Sequence, residues 1–221
     1  PLQALIMTFP RLPGITNGFI GKEGMLNTMK FVEKSEKKGD IYEFRKYNYE
    51  YKKGVPRIFH KSELSKYSSK IANICQSIQK SRGIIIVYTQ YIDGGIVAVA
   101  LALEEMGFTR YGTSQTATPL FKPGSIDTPP IDAETMMPPL DAKKFNQAKY
   151  MILSGDKFFS QNNAADLNYA TSKDNKHGKL VRVILISRAA SEGLDFKYVR
   201  QVHILDPWYN LNRIEQIVGR G

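Results

Sequence analysis

The run Leu180-Val181-Arg182-Val183-Ile184-Leu185-Ile186 leads straight into Ser187-Arg188-Ala189-Ala190-Ser191-Glu192-Gly193-Leu194-Asp195-Phe196, and this stretch decides the fold. A short, mostly β-branched apolar run that ends in polar residues reads as a strand buried on both faces, with its tip in solvent. Twenty residues on stands Gln216-Ile217-Val218-Gly219-Arg220-Gly221. A second apolar run, Gln201 to Leu205, lies between the two blocks, so each block follows a short strand. In open α/β sheets, ligands bind beyond the carboxyl ends of the strands. A Gly-Arg pair at such a place can turn a guanidinium toward a phosphate, the glycine letting backbone approach closely.

The same rhythm extends upstream. Ile84-Ile85-Ile86-Val87-Tyr88 predicts a buried strand with Thr89-Gln90-Tyr91 at its end, and Asp93-Gly94-Gly95 opens a helix through Met106, closed by Gly107. Tyr150 to Leu153 predicts another strand, tipped by Ser154-Gly155-Asp156. Helices are expected over Ser65 to Lys80, with Ile71, Ile74 and Ile78 inward, and over Phe159 to Ser172. Lys173 to Lys179 reads as a polar turn. The expectation is an α/β fold: a parallel sheet of strands 84–88, 150–153, 181–186 and 201–205, flanked by crossover helices.

Two regions break this rhythm. Residues 110–147 hold six of the eleven prolines (Pro119, Pro123, Pro129, Pro130, Pro138, Pro139). Proline removes a ladder donor, so the stretch is expected to loop out of the fold as an insertion, removable without loss of the core. Residues 1–63 are expected to be a basic segment or linker. Within them Tyr47, Tyr49 and Tyr51 alternate among Arg45, Lys46, Lys52 and Lys53. That pattern suits an aromatic strand that stacks bases, and equally a half-buried strand with a charged far face.

A hydrophobic share of 42% permits a sizeable core, and 24% charged residues fit a soluble chain. No apolar run reaches the ~18 residues that span a bilayer, and no membrane partner is expected. The net charge of +10 points to a polyanionic partner. Residues 1–70 carry fourteen Lys/Arg against seven Asp/Glu, a surplus of +7, and the remainder carries only +3. The start Pro1-Leu2-Gln3 is that expected of a piece cut from a longer chain. The single cysteine, Cys75, lies in the apolar helix pattern and is expected to be buried rather than catalytic. Three scattered histidines make no metal-ligand spacing, so no metal site is expected within the chain.

The two blocks resemble motifs V and VI of superfamily 2 helicases and translocases, the last being similar to that family's Gln-x-x-Gly-Arg-x-x-Arg, cut before its second arginine. The strand, tip and helix around Ile84 to Met106 resemble motif IV. Val199 to Asn210, with Asp206-Pro207-Trp208, is similar to the version in poxvirus-like and giant-virus helicases and transcription-associated ATPases. The resemblance covers residues 65–221. It implies a RecA-like C-terminal lobe over residues 64–221 that faces an N-terminal lobe across an ATP cleft. The phosphate loop and the Asp-Glu box are absent here, so ATP and Mg²⁺ would be held mainly by that other lobe. The chain alone is expected to be inactive.

The resemblance also implies roles. Arg220 would reach the γ-phosphate, Gln216 would sense the nucleotide, and Asp195, after the close turn at Gly193, would contact the ribose. Ser187, Thr89, Gln90 and Gly155, all at strand tips, would line a track for the phosphates of DNA or RNA, single-stranded and read by backbone. Glu192 departs from the basic or small residues common at its place in RNA helicases, which puts a detailed transfer of their contacts in doubt. Arg220 can also be read as a surface arginine after a helix, and Asp195 as a cap. The parent would then be an ATP-dependent motor in viral transcription or genome handling, intracellular, in a viral factory, host cytoplasm or virion. The alternative is a non-catalytic nucleic-acid-binding module of RecA-like fold. A dinucleotide-binding Rossmann enzyme is disfavoured, because no Gly-x-Gly-x-x-Gly follows a strand.

Overall fold

The computed structural model describes residues 2–36, 44–113, 117–141, 143–157, 159–190 and 196–206, with side chains left undescribed over 32–36 and 44–48. Its centre is a five-stranded parallel sheet. In chain order the strands are β3 (Ile84–Thr89), β4 (Thr109–Tyr111), β5 (Lys149–Leu153), β6 (Val183–Ser187) and β7 (Val199–Ile204), and they stand side by side as β4-β5-β6-β3-β7. A separate antiparallel hairpin pairs β1 (Met29–Glu36) with β2 (Phe44–Tyr51). The helices are α1 (Gly21–Thr28), α2 (Leu64–Tyr67), α3 (Ser69–Lys80), α4 (Ala98–Glu105) and α5 (Asn163–Ala170). This is the RecA-like arrangement that the resemblance implies.

The continuous apolar runs follow from burial on both faces. Successive side chains of a strand point to opposite sides. On β3, Ile85 and Val87 join a core with α3 and α4, and Ile84 and Ile86 join a second core with Leu167 and Ala170 of α5. Both faces being covered, every β3 position is buried and apolarity cannot alternate.

Helix α3 starts at Ser68, whose hydroxyl accepts from Ile71 N at 3.0 Å and donates to Ile6 O at 2.6 Å. It buries Ile71, Ile74, Cys75 and Ile78. Burial pushes the Cys75 thiol up to about 12, which suits packing rather than a nucleophile. A π-helical turn, Ile92–Val97, precedes α4. A Cβ on Gly94 would stand 2.9 Å from Gly21 Cα, so that turn and α1 pack backbone to backbone.

The described residues of the first 63, 2–36 and 44–63, do not hang free of the sheet. Ile6, Met7, Phe9, Met25, Met29, Tyr49, Ile58 and Phe59 share the core of α3 and α4. Tyr49 is 2% exposed, and Tyr51 donates to Glu105 Oε1 at 2.7 Å. Arg57 pairs with the same carboxylate. Tyr49 and Tyr51 are therefore structural, as the half-buried reading holds, while the Tyr47 side chain lies outside the described ones.

The proline-rich stretch also differs from expectation. Thr109–Tyr111 forms the edge strand β4, paired with β5. Leu120, Phe121, Ile131, Ala133 and Met136 are buried in the main core. The Glu104 carboxylate accepts from Leu120 N at 2.6 Å, Phe121 N at 2.8 Å and the Tyr150 hydroxyl at 2.5 Å. Tyr49 N donates to Leu120 O and Lys122 N to Tyr49 O, at 2.7 and 2.9 Å. Prolines prevent a repeating ladder, but apolar residues set between them can still fill a core, and a buried carboxylate supplies acceptors that no strand offers.

Candidate nucleic-acid interface at the strand tips

The carboxyl ends of β3, β5 and β6 converge on a cavity of about 470 Å³, lined by Gln90, Ile92, Gly155, Asp156, Ser187, Arg188 and Ala189. Parallel pairing sets the tips level: Thr89 is opposite Ser187 across β3 and β6, and Leu153 is opposite Ile186 across β5 and β6. Three of the four expected track residues, Gln90, Gly155 and Ser187, meet here.

The fourth, Thr89, does not. It is fully buried, and its hydroxyl accepts from Tyr91 N at 3.3 Å. The alternation that sends Gln90 to the cavity turns Thr89 into the protein.

Two polar atoms at this cavity lack a partner among the described residues: Ser187 Oγ and Gln90 Nε2, both buried. Ser187 is only 3% exposed. Leaving a buried hydroxyl or amide unpaired costs about 1–3 kcal/mol, so the pair marks a place where a water or a ligand atom can complete the bonding. Gly155 is fixed by contact: a Cβ there would lie 2.6 Å from Ala189 Cβ, closing the gap between the tips of β5 and β6.

The backbone of Gln90 is held by a residue whose role the sequence did not reveal. Asp206, 2% exposed at the end of β7, accepts from Gln90 N through both carboxylate oxygens at 3.2 Å. Leu205 N donates to Tyr88 O at 2.9 Å and Lys70 Nζ to Leu205 O at 3.2 Å, tying the same corner to α3. A carboxylate two residues past the end of β7 was the available signal. Asn163 Nδ2 donates to Ser154 O at 2.8 Å, and the Ser154 hydroxyl to Asp156 O at 3.0 Å, which holds the β5 tip to the start of α5.

Near the cavity, burial raises the Asp93 carboxyl above its usual range, with Lys22 opposing and Asp156 adding to the shift. The lining itself carries one acid, Asp156, and one base, Arg188. It offers hydrogen-bonding groups more than charge. Gly193, Asp195, Gln216 and Arg220 lie outside the described residues.

Residues 140–221 match the family described as the helicase conserved C-terminal domain. The matched stretch contains the Gly155, Asp156 and Ser187–Ala189 part of the strand-tip cavity. The match takes in β5, β6 and β7, and with them Gly155 and Ser187; Gln90, on β3, lies before it. Similar proteins come from large DNA viruses. A protein of Acanthamoeba polyphaga mimivirus that carries the name of an ATP-dependent RNA helicase is 29% identical over 160 residues, 72% of this chain and 23% of its own length. A termination factor NPH-I homolog of African swine fever virus is 29% identical over 162 residues, 69% of this chain and 22% of its own. A nucleoside triphosphatase I of Choristoneura fumiferana entomopoxvirus is 40% identical over 55 residues, 25% of this chain and 8% of its own. The chain spans less than a quarter of the length of these relatives. Among the described residues, no helix is long and apolar enough to cross a membrane.

Proposed function

We propose that this chain is the C-terminal RecA-like lobe of an ATP-dependent nucleic-acid helicase or translocase of a large DNA virus, and that Gln90, Gly155 and Ser187 hold the phosphates of a single strand. The observation that carries the strand-tip assignment is the pair of buried, unpartnered polar atoms, Ser187 Oγ and Gln90 Nε2, at one cavity. A hydroxyl and an amide are suited to phosphate oxygens and indifferent to base identity. Asp206 acts as a positioning residue, since it sets the Gln90 backbone. Residues 64–221 would be the lobe proper, with 1–63 reaching it from a preceding lobe that holds the phosphate cradle and Mg²⁺. Across the cleft between the lobes, Asp195 would meet the ribose after the turn at Gly193. Arg220 would neutralise the γ-phosphate, and Gln216, four residues earlier, would sense it from the same helix face.

The test is Ser187→Ala in the full protein. Its hydroxyl has no partner among the described residues, so its removal should leave the fold untouched. A hydrogen bond to a charged group is worth about 1.5–3 kcal/mol. The dissociation constant for single-stranded RNA or DNA should therefore rise roughly ten- to a hundred-fold, equally for unrelated sequences. The salt slope, about −0.7 per phosphate neutralised, should not change, because no charge is lost. Unaltered affinity would remove Ser187 from the track.

A further inference from the structure

At the opposite end of the sheet lies a second cavity, of about 680 Å³, where the amino ends of β3 and β6 meet the proline-rich stretch. Its basic lining residues are Lys80, Arg82, His177, Lys179 and Arg182, and Glu134 is the acid among them. Glu134 is already engaged by Lys179 at 2.5 Å. That leaves Lys80, Arg82 and Arg182 as a surplus of three positive charges.

Arg182 is the unusual member. It is 2% exposed, and its partners are carbonyls: Nη1 donates to Ala133 O at 3.4 Å and Nη2 to Ser81 O. Its Nε has no partner among the described residues. No carboxylate among the described residues pairs with it. A buried charge without a counter-charge is costly, and burial together with the nearby Arg82 works against its protonated form. The two carbonyls fix the plane of the guanidinium, and Nε–H is left over. An arginine so held is preorganised for an oxyanion. Arg182 lies just before β6, five positions before Ser187, about 16 Å at the rise of a parallel strand, so the two cavities are distinct.

We propose that this cavity is a second anion site, one that takes a phosphate group. Three uncompensated cations suit a multiply charged phosphate better than a single carboxylate. The group is either a free phosphate or pyrophosphate, or the phosphodiester of a strand that passes the amino edge of the sheet.

The experiment measures melting temperature and calorimetric binding of the 221-residue chain with inorganic pyrophosphate, and separately with a single-stranded oligonucleotide, in a buffer without phosphate. Controls hold ionic strength constant with chloride. The expected result is a saturable rise in melting temperature with one or both ligands. Affinity should fall at least tenfold in Arg182→Gln and in the double variant Lys80→Gln/Arg82→Gln. The double variant changes exposed residues only, so it decides the matter if Arg182→Gln does not fold. An effect on pyrophosphate identifies a free anion as the source; an effect on the oligonucleotide alone identifies a strand. Ser187→Ala should leave pyrophosphate binding unchanged, which separates this site from the strand-tip cavity. Pyrophosphate binding that survives the double variant, oligonucleotide affinity that it leaves unchanged where pyrophosphate does not bind, a rise that chloride reproduces, or no saturable binding of either ligand would overturn the proposal.

Discussion

Glu104 offers a perturbation whose size can be worked from the structure. Its carboxylate is 4% exposed and accepts three hydrogen bonds, two from the backbone of the proline-rich stretch at Leu120 and Phe121 and one from Tyr150. Burial pushes its carboxyl up to about 7 from 4.5, against the pull of those donors toward the charged form. The folded state thus binds this proton more tightly than the unfolded chain does. Its contribution is fully present below pH 4.5 and is lost as pH rises through about 7. The difference corresponds to about 3 kcal/mol, at ~1.4 kcal/mol for each tenfold change in proton affinity. Glu104→Gln cannot titrate, so this slope should vanish from it. The amide also sets one donor against a backbone N–H that the carboxylate satisfied, costing about 1–3 kcal/mol at low pH. Urea unfolding followed by circular dichroism at pH 4.5, 5.5, 6.5 and 7.5 reads both quantities. The advantage of wild type over variant should be largest at pH 4.5 and fall by about 3 kcal/mol by pH 7.5, which brings the two level or reverses their order. Parallel curves would refute the reasoning, since they would mean that Glu104 does not change protonation across this range.

Two further substitutions probe the frame of the site. Asn175 is fully buried, donates to Ala170 O and Val181 O at 2.7 and 2.9 Å, and accepts from Leu180 N and Val181 N at 2.8 and 3.0 Å. Asn175→Ala should cost more than about 3 kcal/mol in urea unfolding, and an unchanged midpoint would mean that the turn before β6 is held by other means. Deleting residues 112–146 should unfold the chain or sharply lower its melting temperature, because burying one phenylalanine such as Phe121 is alone worth about 3–5 kcal/mol; an unaltered melt would show the stretch to be a passenger.

Most of the sheet was legible because its strands are buried on both faces. Ile84 to Tyr88, Tyr150 to Leu153 and the run into Ser187 each stand within one or two residues of an observed strand. Strand β4 was hidden: Thr109–Tyr111 is short, half-buried and at the sheet edge, so neither continuous apolarity nor clean alternation marks it. Helix α5 is shorter than its apolar span because Asn162 caps it, its side chain accepting from Ala165 N at 3.2 Å. Phe159 falls outside the helix and packs in the main core. The error over residues 110–147 came from weighing prolines above the apolar residues between them. The strand-end pattern pointed to Gln90, Gly155 and Ser187, which line one cavity. Thr89 turns away from that cavity, because a tip residue's facing depends on the pleat, which six consecutive buried positions conceal. The part played by Asp206 is a contact across 116 positions of sequence, which no local pattern carries.

The central claim, a lobe that completes an ATP site built mainly on another, is tested most directly by steady-state ATP turnover, with and without single-stranded RNA, single-stranded DNA and duplex DNA. The 221-residue chain should show none, and the full protein should turn over faster with at least one nucleic acid. Arg220→Ala in the full protein should lower that turnover by ~10³-fold or more, with nucleic-acid binding retained. Turnover by the chain alone that Arg220→Ala abolishes, or a full protein whose turnover Arg220→Ala leaves near normal, would contradict the account.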